Sequence, residues 1–177
     1  MDLGGDSMST RDEARALRDL TYYRKSIMKA LCCDEDVVKL VSDDETAIPP
    51  NRDLMYENIF PYAYIPDTEK ETDTFICFSV AIPRVENKTY KTMNIYFYIF
   101  THQSLMRTSN GLRTDLLAEA IDKMTNGALG LGLGRIKLDR VEDISPTTHY
   151  HGLAVQYTVT DFNRPSIQGD VGWFDEE

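Results

Sequence analysis

Residues 92–100 alternate without a break. Met93, Ile95, Phe97 and Ile99 fall on one side, and Thr92, Asn94, Tyr96 and Tyr98 on the other. A period of two belongs to an extended strand with one dry and one wetter face, so this run commits the chain to a sheet. Residues 75–82 carry the same β-branched and aromatic bias, and the polar stretch 85–88 between the runs reads as a hairpin loop. A later run, 150–162, sets Val155, Tyr157 and Val159 against Gln156, Thr158 and Thr160. With a strand over 135–141 and a short one over 61–65, the sheet reaches about five strands.

The remaining periodicity is helical. From Thr10, a cap with Glu13 at the capping-box position, Ala14, Leu17, Leu20 (or Thr21), Ile27, Met28 and Leu31 form one stripe. Arg11, Arg15, Arg18, Arg24, Lys25 and Lys29 fill the opposite side, a solvated face that would also complement an acidic neighbour. Asp34 opens a shorter second helix through Val37, Val38, Leu40 and Val41, which stops in the acidic run 43–45. Pro49 and Pro50 then break regular structure, leaving 46–60 as a loop. A further helix follows the turn 109–111, with Leu112, Leu116, Leu117, Ile121 and Met124 inward and Arg113, Asp115, Glu119, Asp122 and Lys123 outward. Asn126 and Gly127 end it in the manner of a left-handed cap. The order implies an α+β domain: a mostly antiparallel sheet packed with an N-terminal helix and a short second helix. One more helix is inserted between the third and fourth strands. Residues 1–9 read as a flexible lead, 10–163 as the domain and 164–177 as a C-terminal arm.

Composition narrows the functions open to such a domain. The chain of 177 residues has 29 acidic and 19 basic side chains, a net charge of −10, which excludes a broad DNA-gripping face. It does not exclude a protein that lets DNA slide past. Three cysteines, two of them adjacent, give no disulfide framework, and no apolar run approaches the roughly 18 residues a membrane span needs. A soluble protein in a reducing cytoplasm, with no membrane partner, is the expectation.

Motifs for catalysis are weak. The loop 127–134 holds Gly127, Gly130, Gly132 and Gly134, but it follows a helix and precedes a strand, the reverse of a phosphate cradle. It reads as a flexible crossover or as a pliable apolar loop that docks on a neighbour. His149 and His151 share one strand and His102 ends another, without a zinc-type partner set. No catalytic, cofactor-binding or metal residue is assigned, and an enzyme is not expected. Interaction features are better placed. Tyr96, Tyr98 and Phe100 are either core beneath the helices or a subunit contact, and Trp173 and Phe174 mark either a docking arm or incidental aromatics in a polar tail.

Residues 111–122 (GLRTDLLAEAID), 133–138 (LGRIKL), and the sequence HG at 151–152 followed by YTVTDFN at 157–163 resemble the tail terminators and related neck proteins of tailed bacteriophages. The resemblance implies a homohexameric ring, at the head-proximal end of the virion tail, that caps the tail tube and joins it to the head. Its partners would be the tail tube protein, the head-completion (stopper) protein and DNA passing non-specifically through the lumen, after assembly in the host cytoplasm. Arg113 and Asp115 join Tyr96, Tyr98, Phe100, Trp173 and Phe174 as contact residues on this reading. A stopper ring is the neighbouring alternative. A small cytoplasmic enzyme or ligand-binding domain using the 127–134 loop is the alternative of another class. Six subunits would gather about sixty negative charges around one axis, so an acidic lumen is expected.

Overall fold

The strongest alternation in the sequence becomes the middle of a sheet. The computed structural model describes residues 18–67, 72–86 and 89–163. It begins with α1 (Arg18–Cys33), α2 (Glu35–Ser42) and a two-residue strand β1 (Ile59–Phe60). The long strands β2 (Thr74–Val85) and β3 (Tyr90–His102) follow, then a 3-10 turn (Gln103–Leu105) and the small pair β4 (Arg107–Thr108) and β5 (Gly111–Leu112). α3 (Arg113–Thr125), β6 (Leu133–Ile144) and β7 (Tyr150–Phe162) complete it. The main sheet runs β1-β2-β3-β7-β6; β1 lies parallel to β2, and the other neighbours are antiparallel. This is the expected α+β class, with α3 inserted as the element order implied.

β3 is central because both its edges are used, against β2 and against β7 in unbroken register from Tyr90↔Phe162 to His102↔Tyr150. The strands meet tightly at Gly152, where an added Cβ would lie 1.8 Å from the Ile99 carbonyl oxygen. All three helices cover one face. Ile76, Phe78, Val80, Met93, Ile95, Phe97, Ile99, Val155, Tyr157 and Val159 point into a core shared with Ile27, Leu31, Val37, Val38, Leu117 and Ile121. Each such aliphatic or phenyl side chain is worth roughly 1.5–3 kcal/mol for leaving water.

Local signals explain both ends of α2. The Asp34 carboxylate accepts from the Val37 N–H at 3.0 Å and starts α2, and Asp43, at φ 52, ends it in a left-handed turn. On α1, Ile27, Met28 and Leu31 are buried as the stripe requires, while Arg24, Lys25 and Lys29 are exposed. Thr10, Arg11, Glu13, Ala14, Arg15 and Leu17, and the segments 1–9 and 164–177, lie outside the described residues.

Four expectations need correction. Residues 61–65 form no strand; Pro61 has no N–H to give a ladder, and the sheet takes Ile59–Phe60 instead. β6 extends beyond 135–141 at both ends. α3 is turned relative to its assigned stripe: Arg113, Thr114, Leu117, Ala120, Ile121 and Thr125 face inward, and Leu112 is exposed. Arg113 therefore does not face outward. Finally, Tyr96, Tyr98 and Phe100 are not core beneath the helices. They share the register of Ser79, Cys77 and Phe75 on the sheet's other face.

Candidate functional site

That other face is only half covered. At one end, Phe60, Phe75, Cys77, Phe100 and Tyr150 form a second buried cluster, with Tyr64, Tyr98 and Ile144 packed against it. The loop after β1 supplies the lid: Tyr64 stacks on Phe60 with centroids 4.2 Å apart and planes 12° apart. Toward the other end the lid stops. Tyr96 stacks on Tyr98 at 6.4 Å, and the Asn94 amide donates to the Tyr96 hydroxyl at 3.0 Å. Around them Ser79, Ala81, Ala154, Gln156 and Thr158 are half-buried.

The sheet's outer strand is more open still. β6 pairs with β7 along one edge, and no described strand pairs with its other edge over its twelve residues. Leu133, Leu138 and Val141 are 37%, 42% and 50% exposed. An exposed strand edge carries unpaired N–H and C=O groups, which proteins normally cover or blunt with charge. Here Arg135, Lys137, Asp139, Arg140, Glu142 and Asp143 mix both signs along it.

Of the residues singled out in the sequence, Tyr96, Tyr98 and Phe100 come together on the open face, with Phe100 buried there. Asp115 stands exposed on α3, away from them. Arg113 is 6% exposed and fully engaged within the chain. It donates to the Leu105 carbonyl at 2.9 Å and the Leu40 carbonyl at 2.6 Å, and it pairs with Asp43. It thus pins α3 to the end of α2, and that is why it turned inward. Trp173 and Phe174 lie outside the described residues.

Sequence reasoning missed one charged site. Lys91 is 1% exposed and lies 3.1 Å from Asp19 and 3.3 Å from Asp161, and Asp161 also accepts from the Tyr23 hydroxyl at 2.7 Å. This network fastens the start of α1 across the ends of β3 and β7. The signal was present: Lys91 and Asp161 fall in the dry-face registers of Met93 and Val159, where a charge must find an opposite charge.

The remaining chemistry-bearing groups are engaged locally. The three histidines gather at one end of the sheet, His102 and His149 with ring centroids 6.0 Å apart. His149 Nδ1 meets Gln103 at 3.2 Å, His151 Nδ1 meets Ser145 at 2.9 Å, and His102 Nδ1 meets Ser104 at 2.7 Å. Among the described residues no group of three or more His, Cys, Asp or Glu side chains is placed to hold a metal. Burial pushes the Cys32 and Cys77 thiols up to about 11, so both stay protonated at neutral pH, while Cys33 is exposed. Burial, helped by its hydrogen bond to Asp122 at 3.0 Å, holds the Tyr157 hydroxyl above its ordinary value.

The 127–134 loop folds inward. Ala128 and Leu131 pack against the core, and Gly132, at φ +88, sits so close to β7 that an added Cβ would meet the Thr160 carbonyl oxygen at 2.8 Å. Gly132 serves close approach to the sheet, whereas Gly127, Gly130 and Gly134 have open space where a Cβ would stand and supply positive-φ turns; none leads into a helix N-terminus. No described helix is long and apolar enough to cross a membrane.

The geometry thus defines a one-sided α+β sheet domain with an open edge. Residues 25–159, about three quarters of the chain, match the YomW family, and the chain belongs to that family. The family takes its name from a gene product of an SPbeta-like phage region of Bacillus, which links this chain to phage-associated proteins. Among curated proteins no relative matches.

Proposed function

We propose that this protein is a structural component of a phage virion, a ring at the head-proximal end of the tail that ends the tube and joins it to the head. One observation carries the reading: a sheet whose face opposite the helices leaves its tyrosines half covered, and whose edge strand β6 has no described strand on its outer side and exposes Leu138 and Val141 in the registers of Tyr157 and Val155. Surfaces of that kind are finished by a partner. In a ring the contacts are heterologous, so the edge of β6 meets a different patch of the next copy, and closure removes every edge. A homohexamer is the expected closed form, with the tail tube protein and the stopper protein on its two sides.

The lumen has a candidate wall. Exposed Glu35, Asp36, Asp44, Glu45, Asp115 and Glu119 lie on α2, α3 and the turn after α2, against Lys39 and Lys123, each of which pairs with a glutamate one turn away. A wall of this sign repels phosphates and lets DNA pass without sticking.

The test begins with mass in solution. Light scattering of the wild type over rising concentration, or with purified tail tubes, should give a closed oligomer. Leu138→Arg with Val141→Arg should leave a folded monomer. A wild type that stays monomeric under both conditions overturns the ring. Virions assembled without the protein then choose its position: overlong, unjoined tails support a terminator, whereas normal tails beside leaking heads move the ring to the stopper layer.

A further inference from the structure

A groove of about 410 Å³ runs between α1 and the loop before β2. Met28, Met55 and Tyr56 form its apolar bed, and Arg24, Lys25 and Lys29 stand over it. Its volume falls within the roughly 300–1,000 Å³ typical of ligand pockets. Among the described residues no acidic side chain lines it, which is unusual in a chain of net charge −10. None of the three cations forms an ion pair with a described carboxylate. Tyr56 adopts a left-handed φ of 64, and the residue is 59% exposed beside the groove.

A segment of the same chain has the complementary chemistry. Residues 165–177 (PSIQGDVGWFDEE) contain Asp170, Asp175, Glu176 and Glu177, no lysine or arginine, and the chain's single tryptophan beside Phe174. An indole on a methionine-lined bed gains area and sulfur–aromatic contact, and carboxylates next to it meet the cations above. Residues 1–17 offer four acids offset by Arg11 and Arg15, and no aromatic ring.

The reach is sufficient. The Tyr23–Asp161 hydrogen bond sets the end of β7 on α1, the helix that lines the groove. The ten steps from Asn163 to Trp173 span up to about 33 Å when extended. The whole of α1, at 1.5 Å per residue, is only about 24 Å long.

We propose that residues 173–177 dock in this groove of their own chain, Trp173 and Phe174 on the Met28–Met55–Tyr56 bed and Asp175, Glu176 and Glu177 toward Arg24, Lys25 and Lys29. The contact belongs to the single protomer and does not depend on the ring, so either reading can fail alone.

Because Trp173 is the only tryptophan, its fluorescence reads the docking directly. In the full chain the emission should be blue-shifted, and acrylamide quenching several-fold weaker, relative to a free peptide of residues 165–177. Lys25→Glu with Lys29→Glu should bring both readings to those of the peptide while circular dichroism and the melting temperature stay unchanged. Lys25→Arg with Lys29→Arg should keep the wild-type values, and high salt should act in the direction of the charge reversal. A wild-type Trp173 as exposed as the peptide's overturns the proposal, as does protection that survives charge reversal. Protection that disappears on dilution assigns the contact to a second copy and overturns docking within the chain.

Discussion

The two faces of the sheet are finished to different degrees. Beneath the helices, Phe97 stacks edge-on to Tyr157, with centroids 5.9 Å apart, inside a continuous aliphatic core whose buried cations Lys91 and Arg113 are paired within the chain. Across the same strands, the Phe60–Tyr150 cluster covers one end and then gives out, leaving Tyr96 and Tyr98 stacked but half in water. One face holds the protomer together by itself. The other leaves aromatic surface half in water, and on the proposed reading this separates stability from assembly along a single strand, β3.

That separation can be broken experimentally. The largest effect should come from Phe97→Ala, which opens a cavity in the closed face and should cost about 3–5 kcal/mol in urea unfolding. A loss below about 1 kcal/mol would mean that the helices do not seal this face. Next is Lys91→Met, expected to cost about 3 kcal/mol because Asp161 and Asp19 lose their buried cation. Adding Asp161→Leu should recover part of the loss if the charge pair, rather than packing, is responsible.

Tyr157→Phe should cost about 1–2 kcal/mol near neutral pH by removing the bond to Asp122. Its pH dependence has a definite sign. A phenol held above its ordinary value of 10.0 contributes stability that is complete below that pH and is lost as pH rises toward the folded value. The wild-type advantage over Tyr157→Phe should therefore be constant to about pH 9 and shrink above 10 in thermal melts. The smallest effect on the protomer should be that of Tyr96→Ser, about 0.5–1 kcal/mol, and it should instead weaken self-association in light scattering. If it destabilises as strongly as Phe97→Ala, the open face is core after all.

The sequence made the repetitive parts of this fold readable. The ends of β7 coincide with its alternation, and Asp34 starts α2 because a cap is a contact three residues long. Long-range choices were not readable. Arg113 looked like a solvated helix residue because its acceptors, Leu40 and Asp43, are about seventy positions away. For Tyr96, Tyr98 and Phe100 the sequence leaves core and subunit contact both open, although the aliphatic register of Met93 to Ile99 marks the drier face. At 61–65 aromatic content suggested a strand, but the residues cap the open face as a loop, where Tyr64 needs only to reach Phe60. As for the proposed contact surface, its tyrosines were visible in the sequence, whereas the open edge of β6 depends on strand order and so was not.

The pairing of β3 with β7 has a consequence in time. Partners in that ladder lie between 48 and 72 positions apart, from His102↔Tyr150 to Tyr90↔Phe162. At about 5–20 residues per second, a ribosome delivers β3 several seconds before the strand that will cover its second edge. Until then the most apolar strand of the nascent chain is shielded on one side only. Neighbouring chains on one messenger would meet it in that interval, so a chaperone or slow initiation should raise the yield of folded protein more than any gain in final stability.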